Sequence, residues 1–232
     1  MMKNINWIEL VIGGAIGFFI ALLTSAIYEL VRKPNLIFKI DENANEGQRR
    51  IKNVDYKWKF LNIIVENKIR PWWQSWLWGN VPAENARAWI SFHDYDSNAE
   101  VRKVSARWAS TKQPINGFGR PDWSSILVTS RESIPVGELA SLAVSIKTEN
   151  ISKADENIYA FNNESYMFYP EYKSPYDTLW SNSDFLVGDD KKYRVCIKVL
   201  SQGHEYKEEF ILSNPMKSYK SIKLLKVKES SC

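Results

Sequence analysis

The chain is poor in the residues from which most sites are built. Its 232 residues include two histidines, His93 and His204, and two cysteines, Cys196 and Cys232. No zinc-type spacing can be drawn from so few ligands. Nor do two cysteines make a disulfide framework. Cys232 closes a polar tail and Cys196 falls among Lys192, Arg194 and Lys198, so a free thiol is expected at Cys196. Glycine is sparse as well, and no Walker or dinucleotide pattern and no Gly-x-Ser-x-Gly elbow occurs. An excess of one charge is also missing. The whole chain carries 31 basic and 27 acidic residues, and beyond residue 33 the counts are 28 and 25. That balance argues against nucleic acid as a partner. After residue 34 there is no amphipathic helical period, no internal repeat and no long linker.

Against these absences stands one long apolar run. Leu10 to Tyr28 is nineteen residues without a charge, closed by Glu9 on one side and by Glu29, Arg32 and Lys33 on the other. At about 1.5 Å per residue it spans roughly 28 Å, close to the hydrocarbon thickness of a bilayer. A transmembrane helix is expected, with Trp7 and Tyr28 as interfacial aromatics. The competing reading is a signal peptide cut near Thr24-Ser25-Ala26, but the run is longer than a signal core. Lys3 alone precedes the run, whereas Arg32, Lys33 and Lys39 follow it, so lysine and arginine asymmetry leans toward a cytoplasmic carboxyl-terminal domain. Two sequons, at Asn150 and Asn163, matter only on the opposite side. Gly13, Gly17, Ala21 and Ser25 recur every four residues, a stripe that lets a second helix approach closely.

The remaining two hundred residues alternate with period two. Ala86, Ala88, Ile90 and Phe92 share one face; Val104, Ala106 and Trp108 repeat the pattern, as do Leu142, Val144 and Ile146. These read as half-buried strands. Tyr193, Val195, Ile197 and Val199 form another, joined through Ser201-Gln-Gly203 to a run from His204 to Leu212 as a hairpin. Residues 35–40, 56–66, 124–129 and 221–227 add strand candidates. Between Tyr56 and Val65 the apolar parity changes, which requires a bulge or a strand covered on both faces. Lys220, Lys223, Lys226 and Lys228 mark the last strand as a charged edge. The expected fold is all-β, an immunoglobulin-like antiparallel β-sandwich preceded by one transmembrane helix. Residues 1–33 are the anchor, 34–228 the sandwich and 229–232 a tail.

Several segments together, "PNLIFKI", "FLNIIVENKIRPWW", "PAENARAWISFHD", "RWAS", "IPVGELASLAVSIK" and "IYAFNNESY", resemble a group of uncharacterised prokaryotic, largely archaeal, single-pass membrane-anchored proteins with one β-sandwich domain. The resemblance implies fold and anchoring only. It carries no activity, cofactor or catalytic residue.

Three stretches are candidate sites. His93, Asp94 and Asp96 hold metal-type or acid–base groups, but neighbours on a strand face opposite ways, so a solvated turn is expected. Asn162 to Tyr166, "NNESY", reads as a loop whose polar side chains satisfy their own backbone. The richest signal is Lys68, Arg70, Trp72, Trp73, Trp76 and Trp78, four indoles just after two cations. If residues 35–40 lead away from the anchor and 56–66 return, this loop lies at the membrane-proximal end, with indoles among headgroups and cations near phosphates. A cap folded over the end of the sandwich is one alternative, and a contact for a protein or carbohydrate partner the other. The expected role is a non-catalytic interaction or envelope-associated module with the bilayer as partner. No cofactor or metal is expected. A homodimer or protein partner through the helix, as in an accessory subunit of a membrane complex, is the second reading and a hydrolase the third.

Overall fold

The structure is a computed structural model that describes residues 7–42, 46–51, 54–111, 130–150, 153–160, 191–216 and 218–227. The strand candidate at 124–129, the "NNESY" segment and Lys228 lie outside these residues.

Helix α1 runs from Trp7 to Val31. Its described side chains, 11–27, are exposed throughout, and residues 32–35 pass directly into the first strand. Among the described residues no helix is long and apolar enough to cross a membrane.

Twelve strands are described: β1 (Leu36–Ile40), β2 (Glu46–Ile51), β3 (Val54–Asn67), β4 (Ala83–Asp94), β5 (Glu100–Ser105), β6 (Arg107–Trp108), β7 (Glu132–Ile134), β8 (Leu139–Asn150), β9 (Lys153–Ala160), β10 (Tyr193–Ser201), β11 (His204–Ser213) and β12 (Lys223–Lys226). They form two sheets in which every pairing is antiparallel. One has the order β1-β3-β8-β6, with β2 also on β3 and β9 also on β8; the other has the order β12-β11-β10-β4-β5, with β7 on β4. The protein is therefore mostly antiparallel β-sheet, an all-β sandwich.

Period two builds the core as expected. Ala86, Ala88, Ile90 and Phe92 of β4 and Val195, Ile197 and Val199 of β10 are fully buried, and they face Ile63 and Val65 of β3 and Leu142 and Val144 of β8 in one apolar cluster. Each Val, Leu, Ile or Phe among them contributes on the order of 1.5–3 kcal/mol on leaving water. The chain changes sheets between β5 and β6. The Ala106 amide still donates to the Ala88 carbonyl, yet Arg107 and Trp108 already pair with Ala143 and Leu142 of the opposite sheet. Trp108 fills this corner, fully buried, with Nε1 donating to the Ala86 carbonyl at 3.0 Å.

The parity change in β3 is a register shift between Leu61 and Asn62 against β8. One expectation is corrected at β8. Leu142, Val144 and Ile146 read as the buried face of a half-exposed strand, but Ala143, Ser145 and Lys147 on the other face are buried too. A strand flanked on both sides shields small outward side chains such as Ala143 and Ser145 beneath its neighbours'. The β10–β11 hairpin turns through Gln202 and Gly203, both at positive φ, with Ser201 opposite His204. In β2, Gly47 lies opposite Trp58, and its missing side chain leaves room for the indole.

Candidate functional site

β1 runs away from α1 and β3 returns antiparallel, so Leu36 and Asn67 are partners and the segment after Asn67 arrives beside the end of α1. The tryptophan segment therefore lies at the α1 end of the sandwich. Its form differs from the expected loop. Residues Trp72–Trp78 make a short helix, α2, which lies against α1. Pro71 begins it, accepting bonds at its carbonyl from Gln74 and Ser75, and Gly79 ends it at φ 65°, ψ 170°, a conformation open essentially to glycine alone. A side chain at Gly79 would also meet the Arg32 guanidinium, whose Nε lies 3.4 Å from that position.

Asn67 holds this end together. It is buried, its Oδ1 accepts from the Asn35 amide at 3.1 Å, and its Nδ2 donates to the carbonyls of Val81 at 2.8 Å and Ile134 at 3.1 Å. One side chain thereby joins the chain leaving α1, the chain leaving α2 and the end of β7. Asn35 and Lys68 exchange two further bonds, Lys68 N to Asn35 O and Asn35 Nδ2 to Lys68 O. Arg70 donates through Nη2 to the Lys33 carbonyl at 2.8 Å, and the Tyr206 hydroxyl donates to the Pro34 carbonyl at 2.7 Å. Burial pushes the Tyr206 phenol up to about 12, against a smaller opposing effect of Arg70. The connection from α1 to the sandwich is thus hydrogen-bonded from Lys33 to Asn35.

Of the sequence-predicted residues, Trp72 is 83% exposed and Trp73 52% exposed, so neither is packed into a cap. Trp76 and Trp78 lie in α2, but their side chains are outside the description. Lys68 is exposed and Arg70 half-buried. Two members of the same surface were missed, Ile69 at 59% and Leu139 at 63% exposure. Alternation puts Leu139 on the face opposite Leu142, but only the register of β8, which sets Leu139 beside Glu66, brings it to this end. Along α1, an added Cβ at Gly13 or Gly17 meets nothing, and Ala21 and Ser25 are exposed.

The other candidates resolve as structure. Asp94 Oδ1 accepts from the Ser97 amide and hydroxyl at 2.9 Å and from the Asp96 amide at 3.2 Å, while Lys191 lies 3.2 Å from Oδ2. The Ser97 backbone bond above all, then its hydroxyl and Lys191, holds the carboxyl down to about 2. Among the described residues His93 Nδ1 reaches the Asn98 carbonyl, at 3.4 Å. This is a solvated turn, and among the described residues no group of three His, Cys, Asp or Glu could hold a metal. At the β12 edge, Lys223 is exposed and Lys226 reaches Glu208 at 3.4 Å and the Phe38 carbonyl at 3.2 Å. Cys196 corrects the sequence reading. It is half-buried as alternation requires, yet it is disulfide-bonded, not a free thiol. The chain's other cysteine, Cys232, lies outside the described residues.

No family model, curated protein or solved structure matches this chain.

Proposed function

We propose that the protein is a single-pass membrane-anchored, non-catalytic interaction module of immunoglobulin-like form. The observation that carries the anchor is α1: a 25-residue helix whose apolar side chains, among them Val11, Phe18, Phe19 and Leu23, stand exposed instead of packing on the sandwich. The stretch with described side chains, 11–27, is short for a span by itself. The sequence extends it with Leu10 and Tyr28, to the length a bilayer core requires. The immunoglobulin-like reading rests on strand order. β1-β3-β8-β6 and β11-β10-β4-β5 follow the sequence of strands A-B-E-D and G-F-C-C′ in such sandwiches. The resemblance to prokaryotic membrane-anchored sandwich proteins points the same way.

Two observations bear on the side of the membrane. Lysine and arginine asymmetry favours the cytoplasm by a narrow margin, whereas a disulfide at Cys196 belongs to an oxidising compartment. We weigh the disulfide above a difference of one or two charges. The domain then faces outward, as an envelope-associated module. The accessory-subunit reading keeps the exposed small-residue stripe of α1 as its docking face.

Protease protection in oriented membrane vesicles, combined with maleimide-polyethylene-glycol labelling before and after reduction, tests this. An outward domain is cleaved from the outside and labels only after reduction. Cleavage only after permeabilisation, with a thiol that then labels without reduction, would refute the sidedness. Release of the intact chain by carbonate extraction would refute the anchor.

A further inference from the structure

Single exposed apolar residues are ordinary on a protein surface. At the α1 end of the sandwich, however, they converge from separate segments. Trp72 and Trp73 open α2, Ile69 precedes them, and Leu139 begins β8 opposite Glu66. The turn before β8 lies against Ile69, whose Cδ1 is 3.1 Å from where a Gly137 side chain would begin. Cations lie on the same segments, at the end of α1 and before α2. Arg32, Lys33 and Lys68 are exposed and Arg70 is half-buried, with Glu138 the exposed acidic neighbour of Leu139.

We infer that this end is a second lipid-contact surface, where Ile69, Trp72, Trp73 and Leu139 enter the headgroup layer and the cations beside them meet anionic lipid phosphates. The inference rests on α1 being seated in a bilayer. Continuity with α1 carries it: the bonds from Arg70 to Lys33, Tyr206 to Pro34 and Asn67 to Asn35 leave the connection no slack, so the patch stays within a turn or two of the helix end. Indoles favour that layer, with the ring in apolar surroundings and N–H in the wet region. Guanidinium and ammonium groups lie there with their stems along apolar surface. Each cation near an anionic surface strengthens binding about fivefold.

The test uses the full chain in nanodiscs of phosphatidylcholine, with or without phosphatidylglycerol, carrying a spin label through Phe19→Cys, Leu139→Cys or Val101→Cys. The unsubstituted chain is the labelling blank. Phe19 reports on α1, Leu139 on the patch, and Val101 is an exposed residue of β5 toward the opposite end of the sandwich. The expected result is that oxygen relaxes the labels at Phe19 and Leu139 more than a water-soluble nickel chelate does, with the reverse at Val101. Lys68→Gln should shift the docked-to-undocked ratio at Leu139 about fivefold, and Trp72→Ser with Trp73→Ser should bring Leu139 down to Val101. Phe19 in hydrocarbon with Leu139 in water overturns the lipid contact and leaves the anchor standing. Phe19 in water overturns the anchor, and the contact with it. Leu139 shielded from both reagents means a protein or a second copy covers the face, which overturns the lipid assignment. A Leu139 signal indifferent to both Lys68→Gln and phosphatidylglycerol overturns the recognition of anionic lipid.

Discussion

Replacing Asn67 by alanine should loosen the α1 end of the sandwich more than any other single polar change there. The side chain makes three hydrogen bonds, and its removal orphans the Asn35 amide and the carbonyls of Val81 and Ile134. Water can reach the first two, which are only part-buried, so each costs about 1 kcal/mol or less, the net worth of an ordinary hydrogen bond. The bond to Ile134 is buried, and its orphaned carbonyl carries a desolvation penalty of about 1–3 kcal/mol. The sum is about 1–5 kcal/mol. For a domain of this size that corresponds to a midpoint lowered by roughly 2–20 °C. Asn67→Asp provides the control. It keeps the shape and the acceptor but loses both donors and sets a carboxylate against two carbonyls, so it should be at least as harmful as alanine near neutral pH. Thermal unfolding of the detergent-solubilised full chain by near-ultraviolet circular dichroism measures both. A loss under about 1 kcal/mol for Asn67→Ala, or a harmless Asn67→Asp, would show that Asn67 fills space there and does not bind three strands of chain.

Trp108→Phe keeps most of the corner's apolar volume but removes the bond to the Ala86 carbonyl, and a loss of about 2–3 kcal/mol is expected in urea unfolding. Asp94, held down to about 2, adds stability that is present above its unfolded pKa of about 4 and lost as pH falls through its folded value. The midpoints of the wild type and Asp94→Asn should therefore differ most above pH 4 and converge toward pH 2; a constant gap across that range would assign the effect to something other than the carboxylate. Gly17→Ile places a branched side chain on the open stripe of α1, so association in a membrane dimerisation assay should fall if helices pair there. Unchanged association would leave the stripe as ordinary membrane-helix glycine.

Alternation was enough to place β1, β3, β4, β10 and β11, and the parity change between Phe60 and Leu61 located the irregularity beside Asn62 within a residue. It failed where a segment has no apolar period or is too short to show one. β2, Glu-Gly-Gln-Arg-Arg-Ile, has no apolar period, and its place is fixed by β3 opposite it. β7 has three residues, too few to show any period. Pro71 and Gly79 bracket α2, but seven residues make less than two turns and tryptophan is a mediocre helix former, so only tertiary placement could decide it. The surface around Trp72 was legible in part, through the tryptophans; Ile69 and Leu139 join it only once register sets β8 beside β3. At Cys196 the outward orientation was legible from its neighbours, whereas a covalent partner is a long-range matter that spacing does not report.

The stitched passage from Lys33 to Asn35 makes α1 and the sandwich behave as a lever. β3 has fourteen residues, so its far end stands about 45 Å from the passage at 3.2–3.4 Å per residue. A helix seated in a bilayer changes tilt with the thickness of its surroundings, over a range of about 0–40°. With a stiff fulcrum, a tilt change of about 10° sweeps the tip of β3 sideways by about 8 Å, more than the spacing of one strand from the next. A hinged connection would absorb that motion within a few residues. On the proposed seating of α1, bilayer thickness would become a coordinate of the distal surface, and mutations that cut the ties at Arg70 or Tyr206 would uncouple the two while leaving both halves folded.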